Sequence, residues 1–303
     1  MLEVAGSAAN GLVPPPAEAG RGLRKLIGRP ARALIRATFA ELLPTLPATV
    51  EHVFRLAALI PSPPILVPEL CGGQPLADSE HLAARVPALR EAVLSAGRTL
   101  AEAAGRWIIV GTGARAEALG PEAVGTFRGF GADVRVGLSR AGLGGPAEDP
   151  MLALPALIGG WLRGQVAPTA VAEARIVEVD APAQRCIELG AKLRAELDAR
   201  EEDCGVLVVA DGAATLSVKA PGYLDSRAEA VQQGIDRALA AGDRRALTDL
   251  DIGLCGELEV SGRAAFQVLA GLFDDIPRVE TRYAAAPFGV GYQVSVWRAG
   301  DAV

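Results

Sequence analysis

The chain has 303 residues, of which 50% are apolar and 22% charged, and its net charge is −6. This composition is typical of a globular protein and excludes a disordered chain. The acidic balance and the 4% aromatic content argue against nucleic acid as the main partner. No apolar run reaches the roughly 18 to 20 residues of a membrane-spanning helix, so no membrane span is expected.

The sequence contains only two histidines, His52 and His81. A site that needs three imidazoles within one chain is therefore excluded, and a Ser–His–Asp triad has little support. We expect both histidines to be ordinary surface residues. The four cysteines form no CxxC pair, which argues against a zinc ribbon or a thioredoxin-like site and fits a cytoplasmic protein. They are Cys71, Cys186, Cys204 and Cys255.

The first 50 residues are basic, whereas the remainder is acidic. A basic helical pattern over 23–43 follows a triple proline and ends at Pro44 and Pro47. We interpret residues 1–52 as an N-terminal extension, either flexible or upstream of the true start, and 53–303 as the folded domain. A basic amphipathic helix on a membrane surface or a partner is the alternative. A secretory signal is disfavoured because Arg interrupts the apolar run.

Apolar runs and helical spacing predict alternating strands and helices along the remainder of the chain. In chain order they are strand 54–60, helix 79–105, strand 107–110, strand 133–138, helix 151–162, strand 174–179, helix 183–200, strand 204–210, helices 226–241, 245–250 and 253–272, and strands 278–284 and 290–298. Such alternation indicates an α/β fold with a mostly parallel central sheet flanked by helices.

A G-x-G-x-x-A pattern, Gly111 to Ala116, follows the second predicted strand. In a dinucleotide-binding fold such glycines bring backbone N–H groups against a pyrophosphate at a helix N-terminus. Here Gly120 and Pro121 would end that helix within two turns. The pattern therefore favours a plain strand-to-loop turn over a nucleotide site.

Asp211 follows the most apolar predicted strand, and open α/β sheets bind ligands at the carboxyl ends of their strands. The alternative role for Asp211 is a loop cap that accepts backbone N–H bonds. The next loop gathers Lys219, Tyr223 and Asp225, of which the lysine and the tyrosine are infrequent residue types in this chain. Residues 286–292 read as a hairpin-like connection between the last two strands.

Four segments occur together in a familiar order and spacing. They are Pro61 to Pro68, Ala210 to Ala214, Ala220 to Asp225 and Ala286 to Tyr292. Over about residues 54–298 the chain resembles the class III extradiol ring-cleavage dioxygenase superfamily, and more closely its subunit-B-like branch found in actinobacteria. The resemblance implies that fold, and a chemistry in which Fe(II), or sometimes Zn, is held by two histidines and a glutamate. A further histidine acts there as the acid/base.

The resemblance places this chain's own residues at those positions. Ser62 stands in the turn that would carry the first histidine ligand, and 111–115 is the region of the second. The acid/base histidine would fall within 211–215, and the glutamate corresponds to Glu257 or Glu259, which we expect at the start of the predicted helix. All three imidazoles are missing, so no cofactor is expected, although the family would use Fe(II).

Three hypotheses follow. In the first, the chain has the dioxygenase-like fold without the activity, and its strand-end cleft binds a small molecule or is vestigial. In the second, a divergent enzyme, dioxygenase-like or hydrolytic, uses Asp211 as acid/base with Lys219 or Arg115 as an anion anchor. In the third, the chain is a non-catalytic subunit that docks on a partner or on a second copy. True ring cleavage would need His52 or His81 to move into the cleft. We expect the cleft to be lined by Ser62, Thr112, Arg115, Tyr223, Glu257 and Glu259.

Overall fold

The computed structural model describes residues 54–71, 85–145 and 148–300. The predicted N-terminal extension, both histidines and the first residues of the predicted 79–105 helix lie outside these ranges. Among the described residues, no helix is both long enough and apolar enough to cross a membrane.

Seven strands form one mixed sheet in the order β3-β6-β2-β7-β1-β9-β8. Its four central strands, from β6 to β1, run parallel, whereas β3 at one edge and β9 and β8 at the other run antiparallel. Strands β4 and β5 pair separately. The bounds are β1 Phe54–Ile60, β2 Arg106–Gly113, β3 Glu117–Leu119, β4 Val124–Thr126, β5 Arg135–Gly137, β6 Val171–Glu178, β7 Cys204–Val209, β8 Arg278–Ala285 and β9 Tyr292–Arg298.

Helices cover both faces of the sheet. They are α1 Val86–Ala103, α2 Arg140–Leu143, α3 Leu154–Val166, α4 Ala183–Asp198, α5 Ala228–Ala241, α6 Arg244–Thr248, α7 Ile252–Glu257 and α8 Arg263–Gly271. Helices α1 and α3 build one core layer with the sheet, and α4, α5 and α8 build the other. Burial on both faces explains the continuous apolar runs of β1 and β7. The predicted α/β fold with a parallel sheet core flanked by helices is confirmed.

The predicted helix over 253–272 is wrong, because two helices, α7 and α8, occupy this region. Between them Glu259 has a left-handed backbone with φ of +52°, which a helix cannot continue through. The chain turns here because Leu258 accepts a hydrogen bond from the Ala214 N–H. Glu257 therefore ends a short helix and Glu259 lies in a loop, so neither begins a helix.

The predicted turn at Gly111–Gly113 is also wrong, because β2 continues through Gly113 and pairs with β6 up to Glu178. A side chain at Gly111 would collide with Pro155 in the first turn of α3. The glycine pattern thus lets α3 lie close to the sheet and does not form a phosphate-binding loop. The predicted strand over 133–138 shrinks to β5, and the three-residue strands β3 and β4 were not predicted.

The close approach of α4 and α8 depends on Gly190. A Cβ at this position would collide with the backbone carbonyl of Val268, which cannot rotate away as a side chain can. We expect Gly190→Ala to lower the free energy of unfolding by about 1–3 kcal/mol, the usual cost of overpacking. Urea denaturation of the full chain measures it.

Gly234 in α5 is the matched control, because nothing lies within 4 Å of a Cβ added there. Gly234→Ala should stabilise the protein by about 0.5–1 kcal/mol, since alanine restricts the unfolded chain more than glycine does. Equal effects of the two substitutions would contradict the close contact between α4 and α8.

Candidate functional site

The carboxyl ends of β1 and β7 are joined by a doubled hydrogen bond. The Ser62 N–H donates to Asp211 Oδ1 at 2.7 Å, and the Ser62 hydroxyl donates to Asp211 Oδ2 at 2.5 Å. Ser62 is flanked by Pro61 and Pro63, which have no N–H, so its amide is the only backbone donor between residues 61 and 64. One serine thus engages both oxygens of the carboxylate.

Tyr292 lies on the same face of the sheet beside this pair. The β1–β9 register pairs Leu59 with Ser295, and continuing it places Tyr292 opposite Ser62. Tyr292 packs in the same core layer as Ile60. Side chains two positions apart on a strand share a face, so Ser62 follows Ile60 on that face. We call Tyr292, Ser62 and Asp211 the strand-end row.

The electrostatics of the row follow from its burial. Burial raises the pKa of the Asp211 carboxyl, and the hydrogen bonds from Ser62 oppose this effect. Tyr292 is only 5% exposed, and burial raises the pKa of its hydroxyl, as does the charge of Asp211. The Tyr292 hydroxyl makes no hydrogen bond to any other described residue. The row therefore combines a carboxyl that resists ionisation with a free hydroxyl.

Gln232 of α5 holds the loops that carry the row. Its Oε1 accepts a hydrogen bond from the Ala213 N–H at 2.8 Å, and its side chain fills the space that side chains at Gly212 and Gly291 would occupy. The two loops also bond to each other, because the Gly212 N–H donates to the Gly291 carbonyl at 2.8 Å. The loop after β7 and the turn before β9 are therefore fixed together.

A third segment reaches the row from the α7–α8 loop. The Gly262 N–H donates to the Asp211 carbonyl at 2.9 Å, and the Thr112 hydroxyl donates to the Ser261 carbonyl at 2.8 Å. A side chain at Gly262 would collide with Asp211. Thr112 thus supports the segment that touches Asp211, and its own donor is already used.

The structure brings only some of the predicted site residues together. Ser62 and Asp211 are in contact. Thr112 is connected to them indirectly, because its hydroxyl donates to Ser261 and the next residue, Gly262, donates to the Asp211 carbonyl. Glu259 is exposed and its carboxylate lies against Gly222.

The remaining predicted residues point into solvent. Glu257 is exposed and forms an ion pair with Arg227. Tyr223 is 65% exposed. Arg115 and Lys219 are exposed and make no hydrogen bond or ion pair to another described residue. The pairing of Lys219 with Asp211 stays a prediction.

Tyr292 and Gln232 were not predicted as site residues. The sequence signals that favour them are modest. Tyr292 is one of three tyrosines and follows a glycine-rich turn. For Gln232 the signal is two glycines that leave room for its side chain, Gly212 after β7 and Gly291 before β9. Their roles depend on the register of β9 and on the position of α5, which local sequence does not determine.

The residues of this site do not fit the iron centre that the resemblance implies. Ser62, which stands where the resemblance implies the first ligand, donates its hydroxyl to Asp211. Within the described ranges, no group of three or more His, Cys, Asp or Glu residues is placed to hold a metal ion. Hydroxyl oxygens are not among the imidazole and carboxylate ligands that such iron centres use.

A scan against protein-family models finds no match to this chain, and a search of curated proteins also finds none. Among solved structures, the chain is similar to the crystal structure of an uncharacterized protein from Escherichia coli K12. The identity is 15% and the TM-score 0.50, over 81% of this chain and 100% of the other. This likeness is one of fold.

The raised pKa of Asp211 predicts a pH dependence of stability. The native carboxyl holds its proton to higher pH than the unfolded one, so the contribution of Asp211 to stability is fully present below about pH 4 and is lost as pH rises through the native pKa. Asn can keep both contacts with Ser62, because its amide accepts and donates. We expect Asp211→Asn to gain stability relative to wild type as pH rises from about 4, measured by urea denaturation.

Asp225 gives a control of opposite sign. Hydrogen bonds from Arg227 lower the pKa of Asp225 to about 2. Asp225→Asn should therefore be less stable than wild type at neutral pH, and the difference should vanish as pH falls toward about 2. A pH-independent difference between Asp211→Asn and wild type would show that Asp211 ionises as easily in the native as in the unfolded protein.

Proposed function

We propose that this chain has the class III extradiol dioxygenase-like fold, carries no iron centre, and binds a small hydroxylated molecule at the strand-end row. The observation that carries the proposal is the doubled hydrogen bond between Ser62 and Asp211. It supports the proposal because Ser62, which stands where the resemblance expects the first metal ligand, binds a carboxyl at the end of the sheet where α/β proteins bind ligands.

The chemistry of the row suits a ligand with neighbouring hydroxyl groups. The Tyr292 hydroxyl can both donate and accept, and the Asp211 carboxyl accepts when ionised and also donates when protonated. A 1,2-diol or catechol could bond to both groups at once. Burial of Tyr292 strengthens such bonds, since hydrogen bonds are electrostatically stronger away from water.

Backbone strain beside the row agrees with a binding role. Tyr223 and Glu259 both have positive φ, +64° and +52°, and their loops touch through Gly222. Such conformations cost about 1–3 kcal/mol each and are concentrated at functional sites. The strained loops bond to Asp211 and to the segment that follows it, because Gly262 donates to the Asp211 carbonyl and Ala214 bonds to both Leu258 and Gly222.

The two other hypotheses stay predictions. A divergent enzyme would need Lys219 to reach Asp211, yet Lys219 is exposed and forms no ion pair with it. A non-catalytic subunit would need a partner on its surface. The exposed Val218 and Leu224, in the same loop as Lys219, are compatible with that role.

Catechol and its analogues test the proposal by thermal unfolding of the full chain. A ligand that binds only the native state raises the midpoint. We expect catechol to raise it for wild type, and Tyr292→Phe to weaken binding roughly ten-fold, since it removes one hydrogen bond and keeps the ring.

Tyr223→Phe is the matched control, because it removes the hydroxyl of a tyrosine that is 65% exposed and is not part of the row, and it should respond to catechol as wild type does. The proposal fails if no catechol, diol or sugar shifts the wild-type midpoint, or if Tyr292→Phe behaves like wild type.

Metal analysis of the purified full chain tests the second part of the proposal. We expect no stoichiometric iron or zinc, and no rise in the midpoint when Fe(II) or Zn(II) is added. One metal ion per chain that Ser62→Ala or Asp211→Asn releases would instead place a metal at the row.

A further inference from the structure

A cavity of about 350 Å³ lies near the β3 edge of the sheet. Its walls come from β2, β3 and β6 and from helices α4 and α8, and no residue of the strand-end row lines it. The volume lies within the range of roughly 300–1,000 Å³ for small-molecule sites.

The floor of this edge cavity is apolar and deep. Val110 of β2 and Val268 of α8 line it and are almost fully buried, at 1% and 2% exposure. Val177 of β6 and Leu193 of α4 complete the floor. A ligand there would therefore gain from burying an apolar body of a few carbon atoms, at about 0.8 kcal/mol per CH₂ group.

Arg175 rises from the same floor, since it stands two positions before Val177 on β6 and shares its face. Its nearest carboxylate, Glu173, is at 3.0 Å. Glu173 also binds Arg200 at 3.3 Å and approaches Arg106 at 3.9 Å. Burial disfavours the ionised Glu173, yet Arg200 and Arg175 lower its pKa overall.

One carboxylate therefore contacts three guanidinium groups, and among the described residues only Arg106 of these three forms an ion pair with a second carboxylate, Glu202. Arg175 keeps unused N–H donors and positive charge beside the apolar floor. The other charges of the lining largely cancel: Arg185 pairs with Glu178 at 3.3 Å, and Lys192 lies 3.8 Å from Glu196. Glu117 of the edge strand adds one carboxylate to the lining.

We propose that the edge cavity binds a small apolar monocarboxylate, with its hydrocarbon on the Val110, Val177 and Leu193 floor and its carboxylate on Arg175. A guanidinium binds a carboxylate through two parallel N–H donors, which fixes the orientation of the ligand. The site is separate from the strand-end row and does not depend on the function proposed for it.

Calorimetric titration of the full chain with sodium octanoate tests the site, with octan-1-ol as the uncharged ligand of equal length. Octanoate should bind at one saturable site. Arg175→Gln should raise the Kd of octanoate about ten-fold or more, because it removes a charged hydrogen bond, and should leave the Kd of octanol unchanged. Glu173 keeps Arg200 as a partner in this variant, so the fold is retained.

Ala118 and Ala284 supply a matched pair of substitutions, because both are exposed alanines on edge strands, β3 and β8, and only Ala118 lines the cavity. Ala118→Trp should abolish binding of both ligands, and Ala284→Trp should leave it intact. Three results would each overturn the proposal: no saturable binding of octanoate to wild type, equal octanoate affinity in Arg175→Gln, or octanoate binding that survives Ala118→Trp.

Discussion

The arrangement of this end of the molecule depends on the contact between Ser62 and Asp211. The parallel strands β1 and β7 are adjacent in the sheet but far apart in sequence, and they end at the same level. Ser62 after β1 links the two ends by donating two hydrogen bonds to the Asp211 carboxylate after β7. Through its backbone Asp211 also receives the α7–α8 loop, by way of Gly262. Three segments of the chain therefore converge on one side chain and its peptide group, which explains why a carboxyl with unfavourable solvation is tolerated there.

Much of the fold could be predicted from the sequence, because the central strands and the long helices obey local rules. Strands β1 and β7 are buried on both faces and read as unbroken apolar runs, and α1, α4 and α5 present one apolar stripe each. The errors occurred where distant hydrogen bonds decide the outcome. Glu259 interrupts a sequence with good helical spacing because Leu258 binds the loop after β7.

The candidate site was predicted in part, for a similar reason. Asp211 could be located because it follows an evident strand, and strand ends are where such sheets bind ligands. Tyr292 joins it only through the register of an antiparallel strand some eighty residues later in the chain. The infrequent residue types of the 219–225 loop were a weaker guide, since Lys219 and Tyr223 point into solvent.

The prolines around Ser62 have a consequence for the engineering of this site. With Pro61 on one side and Pro63 and Pro64 on the other, the amide of residue 62 is the segment's single donor and stays committed to Asp211 whatever side chain stands there. A histidine introduced at position 62 would remove the hydroxyl that donates to the second carboxylate oxygen of Asp211. It would also lie beside an aspartate whose backbone carbonyl is already bound by Gly262. Introducing an imidazole ligand at the end of β1 therefore needs a coordinated change at both strand ends, and a single substitution does not accomplish it.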